Sequence, residues 1–174
     1  MMELMGLHLP NAAFVNPNTP LREALTIAAT HRAAEITGLG DDYRPIGRVI
    51  DERAIVNAVV GLMATGGSTN HFIHLPAIAA AAGVELLWDD LGDIARVTPL
   101  LAKVYPNGAA DVNQFRDAGG MAFVTRELLD AGILHGDILT VSREGMAGHT
   151  RDPALEGEKL VWRDAPSSSR DESV

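Results

Sequence analysis

Two apolar runs separated by a short polar loop constrain this chain more than any other feature. Ala54 to Met63 is almost wholly apolar, and the run resumes as Phe72-Ile73-His74-Leu75 and Ala77 to Ala82. Between them lies Ala64-Thr65-Gly66-Gly67-Ser68-Thr69-Asn70-His71. Apolar residues fall on nearly every face of the first run, so the helix it predicts must be covered on several sides by other elements. Asp51 is placed to cap that helix, with Glu52 in its first turn at the positive end of the dipole. Gly66 and Gly67 open backbone angles closed to other residues and let another group approach the main chain. Ser68, Thr69 or Asn70 then caps the next helix, whose unpaired N–H groups favour an anion. Gly66, Gly67, Ser68, Thr69, Asn70 and His71 are therefore the candidate binding residues, for a carboxylate or a phosphate. The competing reading is a buried turn with an N-cap and no ligand. A Walker-type nucleotide loop is excluded, because no lysine stands between Gly67 and Ser68.

The remaining chain reads as helices with a few strands. Thr19 before Pro20 marks a helix start, and Leu21, Leu25, Ile27 and Ile36 recur at helical spacing until Gly38 and Gly40. Asp41 to Pro45 is a polar loop, with Tyr43 a surface residue. Asn57, alone in its apolar run, needs hydrogen-bond partners and is read as structural. Pro76 denies Phe72 a donor, so the second apolar helix kinks or restarts there. His71 and His74 share a helical face, but with no third ligand nearby no metal site is assigned; His74 is read as a core histidine. Val84 to Trp88 and Asp137 to Val141 read as strands. Asp89 and Asp90 are read as the capped start of a helix rather than a catalytic pair. Val97 to Pro106 is either strand or helical turn. Asp111 caps a helix over Val112 to Ala118, and a further helix spans Met121 to Ala131, closed by Gly132. Ala118-Gly119-Gly120 suits close helix packing. Helix, glycine turn and strand in succession give an α/β fold, predominantly helical with a small, mostly parallel sheet. Residues 1–150 form the domain; 151–174, rich in proline, serine and charge, read as a linker or loose tail.

Length and composition bound the function. A chain of 174 residues, 47% hydrophobic and 21% charged, suffices for one substantial core. A net charge of -9 argues against a nucleic-acid partner. Neither a signal peptide nor a membrane-spanning run is present, which makes the cytoplasm the expected compartment and a membrane an excluded partner. With no cysteine at all, the chain holds neither a disulfide nor a thiolate-bound metal or cluster.

Met2 to Pro10, Ala64 to His71 with Ile73-His74-Leu75, Trp88-Asp89-Asp90, Tyr105-Pro106-Asn107-Gly108, Ala118-Gly119-Gly120 and Glu127 to Gly136 follow one another in fixed order. Together they resemble the dihydroxy-acid dehydratase and 6-phosphogluconate dehydratase family. His71 after Asn70 and the Tyr105 to Gly108 segment look more like the 6-phosphogluconate branch. The resemblance runs from Met1 to at least Val141 and implies a hydro-lyase acting on a phosphorylated sugar acid. It also implies a cysteine-held iron-sulfur cluster and a divalent cation such as magnesium in the full-length enzyme, and a homodimer. This chain can hold neither the cluster nor the missing catalytic groups, so it reads as an internal piece, inactive alone, whose nearest partners are the missing parts of its own protein. Its share of the work is then pocket wall and core. Three alternatives stay open: another sugar acid or dihydroxy acid as substrate, a non-catalytic packing or interface segment, and a free-standing anion-binding domain.

Overall fold

The apolar run from Ala54 forms the central rod of the larger of two hydrophobic cores. The computed structural model describes residues 1–166, 169 and 174. Among them the order is α1 (Pro20–Glu35), α2 (Ile46–Val49), α3 (Glu52–Thr65), α4 (Asn70–Ala81), α5 (Trp88–Val97), α6 (Val112–Ala118), α7 (Gly120–Asp130), α8 (Gly145–Gly148), β1 (Arg151–Glu156) and β2 (Lys159–Asp164). Asp51 caps α3 by accepting the Ala54 N–H at 2.9 Å, and Gly66 closes it in the left-handed region at φ 57. Ala54, Ile55, Ala58, Val59 and Val60 are buried together, as the all-round apolar pattern requires. Leu4, Met5, Leu75, Leu91, Met121, Val124, Leu128 and Met146 complete that core from the N-terminal turn, α4, α5, α7 and α8. Asn57 is fully buried and satisfied on both sides: its amide donates to the His135 carbonyl at 3.0 Å and accepts the His135 N–H at 2.8 Å.

Helix starts follow the sequence closely. Thr19 caps α1 with Pro20 at its first position. Asp111 accepts from Asn113 and Gln114 while Gln114 answers the Asp111 N–H at 2.9 Å, a reciprocal cap on α6. Asp90 accepts the Leu87 N–H at 2.8 Å, so this carboxylate caps α5 as expected. α4 runs through Pro76 without restarting. His74, expected in the core, is exposed on α4.

The sheet departs from expectation. It is a two-stranded antiparallel hairpin rather than mostly parallel, and it lies at residues 151–164, in the segment read as linker. Val84 to Leu87 is no strand, because its amides serve the flanking helices: Val84 N–H donates to Ala79 and Leu87 N–H to Asp90. Asp137 to Val141 is no strand either. Guanidinium groups take its carbonyls, Arg44 that of Thr140 at 2.6 Å and Arg32 that of Val141 at 2.6 Å, where a neighbouring strand would otherwise sit. Arg32 and Arg44 also pair with Asp42, so the polar loop after α1 is pinned and the Asp42 carboxyl is held at about 2, chiefly by Arg44 and Arg32. In the hairpin Pro153 faces Trp162, and Gly157, at φ 63, turns the chain. Trp162 joins Leu9, Leu21, Leu25 and Leu160 in a second small core beneath α1. Residues 167, 168 and 170–173, where the tail was expected, lie outside the described residues.

Candidate functional site

Two hollows compete for the role of site. One, of ≈ 480 Å³, lies between α1, the hairpin and the 141–144 turn. Its arginines are committed: Arg32 bonds Glu35 at 2.9 Å, and Arg143 bonds Glu35 at 3.1 Å and Asp41 at 3.3 Å. The other, of ≈ 800 Å³, opens beside the twin-glycine loop. Three stretches far apart in sequence wall it: Met2, Glu3 and His8; Gly66 to Thr69 with His71; and Tyr105 to Asn107. Phe14, Phe115 and Met121 form the apolar side, with the two phenyl rings edge to face at 5.4 Å.

The loop is built by steric and hydrogen-bond demands that explain its composition. Gly67 N–H donates to the Leu62 carbonyl at 3.0 Å and Gly66 N–H to Met63 at 3.3 Å, the pairing that closes a helix through a left-handed glycine. A Cβ on Gly66 would meet Asn107 Nδ2 at 2.0 Å, and one on Gly67 would meet Leu62 Cδ1 at 2.9 Å and His71 Nδ1 at 3.0 Å. The Asn107 side chain donates to the Gly66 carbonyl, which ties the Tyr105 to Gly108 turn to the loop. The capping role falls to Ser68, whose hydroxyl accepts the Asn70 N–H at 3.2 Å; Thr69 stands at the N-cap position with no side-chain bond. The two glycine amides are thus consumed by the cap of α3. Among the described residues the N–H groups of Ser68 and Thr69 make no hydrogen bond. They stand at the N-terminus of α4, where the helix dipole adds a positive field. Of the six expected residues, Gly66, Gly67, Ser68, Thr69 and His71 line the cavity, while Asn70 is exposed outside its lining.

Sequence reasoning missed Glu3 and His8. Glu3 is 2% exposed and its carboxylate accepts the Ala13 N–H at 2.7 Å and the Asn11 N–H at 3.2 Å. Burial lifts its pKa to about 7, against the lowering pull of those backbone donors. Burial depresses His8 and His71, so both rings are neutral near pH 7. The signal for Glu3 and His8 was present: they are the polar exceptions in the apolar run from Met1 to Leu9.

Residues 1–149 match the family model described as dihydroxy-acid/6-phosphogluconate dehydratase N-terminal. The chain belongs to this dehydratase family. A phosphogluconate dehydratase of Pseudomonas aeruginosa is 53% identical over 174 residues, covering 100% of this chain and 29% of that protein. The phosphogluconate dehydratase of Escherichia coli K12 is 48% identical with the same coverage, 100% and 29%. A dihydroxy-acid dehydratase of Parvibaculum lavamentivorans is 35% identical over 159 residues, 91% of this chain and 27% of that one. The chain therefore spans 29% of the length of the phosphogluconate dehydratases it matches end to end. Within this dehydratase domain, the family motifs at Met2 to Pro10, Ala64 to His71 and Tyr105 to Gly108 converge on one cavity. The motif at Ala118 to Gly120 serves helix packing beside Asn11 and Phe123.

The donor set does not suit the groups that the resemblance implies for the whole enzyme. The chain has no cysteine for an iron-sulfur cluster. Among the described residues no three histidine, aspartate or glutamate side chains come together to hold a metal ion. No helix of the described residues is long and apolar enough to cross a membrane.

Proposed function

We propose that this chain is the part of a phosphogluconate dehydratase that forms one wall of the substrate cavity, in an enzyme that converts 6-phospho-D-gluconate into 2-dehydro-3-deoxy-6-phosphogluconate, as in the Entner-Doudoroff pathway. The carrying observation is the convergence of three separate family motifs on the ≈ 800 Å³ cavity. In the reaction the substrate loses the proton at carbon 2 and the hydroxyl at carbon 3 as water, and the resulting enol tautomerises to the ketone. Removing a proton beside a carboxylate builds negative charge on the carboxylate oxygens, so donors aimed there lower the barrier. The free N–H groups of Ser68 and Thr69, at the head of α4, supply such donors without a cationic side chain. Phe14, Phe115 and Met121 supply the apolar side of the same cavity. The iron-sulfur cluster and a divalent ion such as magnesium belong to other parts of the full-length enzyme. The same reading makes the enzyme cytoplasmic and homodimeric, and this piece inactive alone.

The test is Gly67→Val in the complete enzyme. The added branch collides with Leu62 and the His71 ring, so turnover falls at least about tenfold while the absorption spectrum of the cluster is kept. Unchanged kinetics would remove the loop from the substrate site and favour the reading of a packing segment.

A further inference from the structure

One turn of main chain, residues 11–15, is held by means that are costly to the fold. Asn11 stands in the left-handed region at φ 50, uncommon for a residue with a side chain. It is buried, and its side chain donates to Asp152 at 2.8 Å and accepts the Ala122 N–H at 3.3 Å. From the inner side the buried Glu3 carboxylate accepts the N–H groups of Asn11 and Ala13, one on each oxygen. From the other side Arg22 donates to the carbonyls of Ala12 at 2.7 Å and Val15 at 3.1 Å. The turn is thereby clamped with an anion on its amides and a cation on its carbonyls. Burying a carboxylate is expensive, and a neutral side chain at position 3 would avoid that cost. A left-handed residue and a buried charge persist together where the placement they enforce is used.

What the turn places is Phe14. Its ring is half-buried and lines the ≈ 800 Å³ cavity, braced edge to face on Phe115. A phenyl ring forms no ordinary hydrogen bond with hydroxyl or acid groups, so the part of a sugar acid that it meets is the C–H surface of the carbon chain. We propose that Glu3 is a positioning residue for the dehydration: with Arg22 it holds the 11–15 turn so that the Phe14 ring stands against the carbon chain of the substrate. Glu3 touches no substrate itself and acts through Phe14. This inference rests on the reading that the cavity takes a sugar acid. It adds a residue whose presence favours binding at the expense of stability, because the carboxylate that orders the turn is the one whose burial opposes folding above pH 7.

The experiment is a double-mutant cycle in the complete enzyme at pH 8, with Glu3→Gln, Phe14→Ala and the pair. Glutamine keeps one acceptor and turns an N–H donor toward the other amide, so the turn loses one of its two inner bonds. Each single variant raises KM for 6-phosphogluconate about tenfold and leaves kcat within about twofold. The double variant raises KM about tenfold as well, since a ring that is gone can no longer be misplaced. Glu3→Gln is the more stable protein at this pH, so its weaker binding does not come from a weakened fold. Arg22→Lys repeats the cycle from the other side of the turn and covers a failure of Glu3→Gln to fold. Unchanged KM in Glu3→Gln and Arg22→Lys, or a double variant whose KM rises about a hundredfold as for independent sites, overturns the proposal. If Phe14→Ala raises KM or the substrate protects the Ser68 and Thr69 amides in that case, the positioning role alone has failed and the reading of the cavity stands. If Phe14→Ala leaves KM unchanged and those amides are indifferent to substrate, both fall together.

Discussion

Glu3 shows how one residue can work against the stability of the fold it belongs to. In the unfolded chain its carboxyl ionises near 4.5, whereas in the native state burial raises it to about 7. Between these values the native state holds a proton that the unfolded chain has released, so stability is full below pH 4.5 and is lost as pH rises through 7. The size of the shift corresponds to about 3 kcal/mol for this nearly fully buried group. Glu3→Gln cannot ionise and escapes that loss. The stability gap between variant and parent therefore moves in favour of the variant by up to about 3 kcal/mol between pH 5 and pH 8, read from urea midpoints. A gap that does not change with pH would mean that the carboxyl is ionised throughout. His8, His71 and His149 act at the other end, since burial depresses all three and the unfolded chain takes up protons first below 6.5. Their contributions cancel in the comparison of variant with parent.

Among the elements, the helices were legible because their ends are written in local chemistry. Thr19-Pro20, Asp51, Asp111 and Gly66 each cap within a few residues, and no tertiary information is needed to see it. The strands were not legible, for the opposite reason. Val84 to Leu87 and Asp137 to Val141 have the right residues, but their amides and carbonyls are claimed by Asp90, Arg32 and Arg44, which no local pattern announces. The true hairpin hid behind its charges, although Gly157 between Ala154-Leu155 and Leu160-Val161-Trp162 is a turn signal. Its attachment is long-range. Asp152 accepts from the buried Asn11 amide at 2.8 Å and pairs with Arg116 at 2.9 Å, and Trp162 donates to the Pro10 carbonyl at 3.3 Å. Removing the carboxylate with Asp152→Ala strands a mostly buried guanidinium and the Asn11 amide, and costs about 3 kcal/mol by urea unfolding. Asp152→Asn keeps the acceptor for Asn11 and costs less. If neither substitution shifts the midpoint, the hairpin is the loose appendage that its composition suggested.

For the whole molecule, the sequence singled out a loop that lines a hollow, but not how the amides of that loop are used. The twin-glycine loop does adjoin a cavity, and Gly66 and Gly67 are required there by Asn107, Leu62 and His71. The amides of Gly66 and Gly67 are spent on closing α3, while those of Ser68 and Thr69 make no hydrogen bond among the described residues. That division depends on where the Leu62 and Met63 carbonyls point. Nor could spacing reveal that Glu3, His8 and Asn107 reach the same hollow, because the folding of the N-terminal turn and the 105–108 turn onto α3 is a tertiary event. In the proposed reading this hollow receives the acid end of a sugar acid on unpaired main-chain N–H groups, and amide hydrogen exchange of the complete enzyme, with and without saturating 6-phosphogluconate, checks it. New protection is expected at Ser68 and Thr69, with no change at Gly66 and Gly67, whose N–H groups are already bonded; an enzyme that turns over while Ser68 and Thr69 exchange as fast as without substrate would overturn that reading.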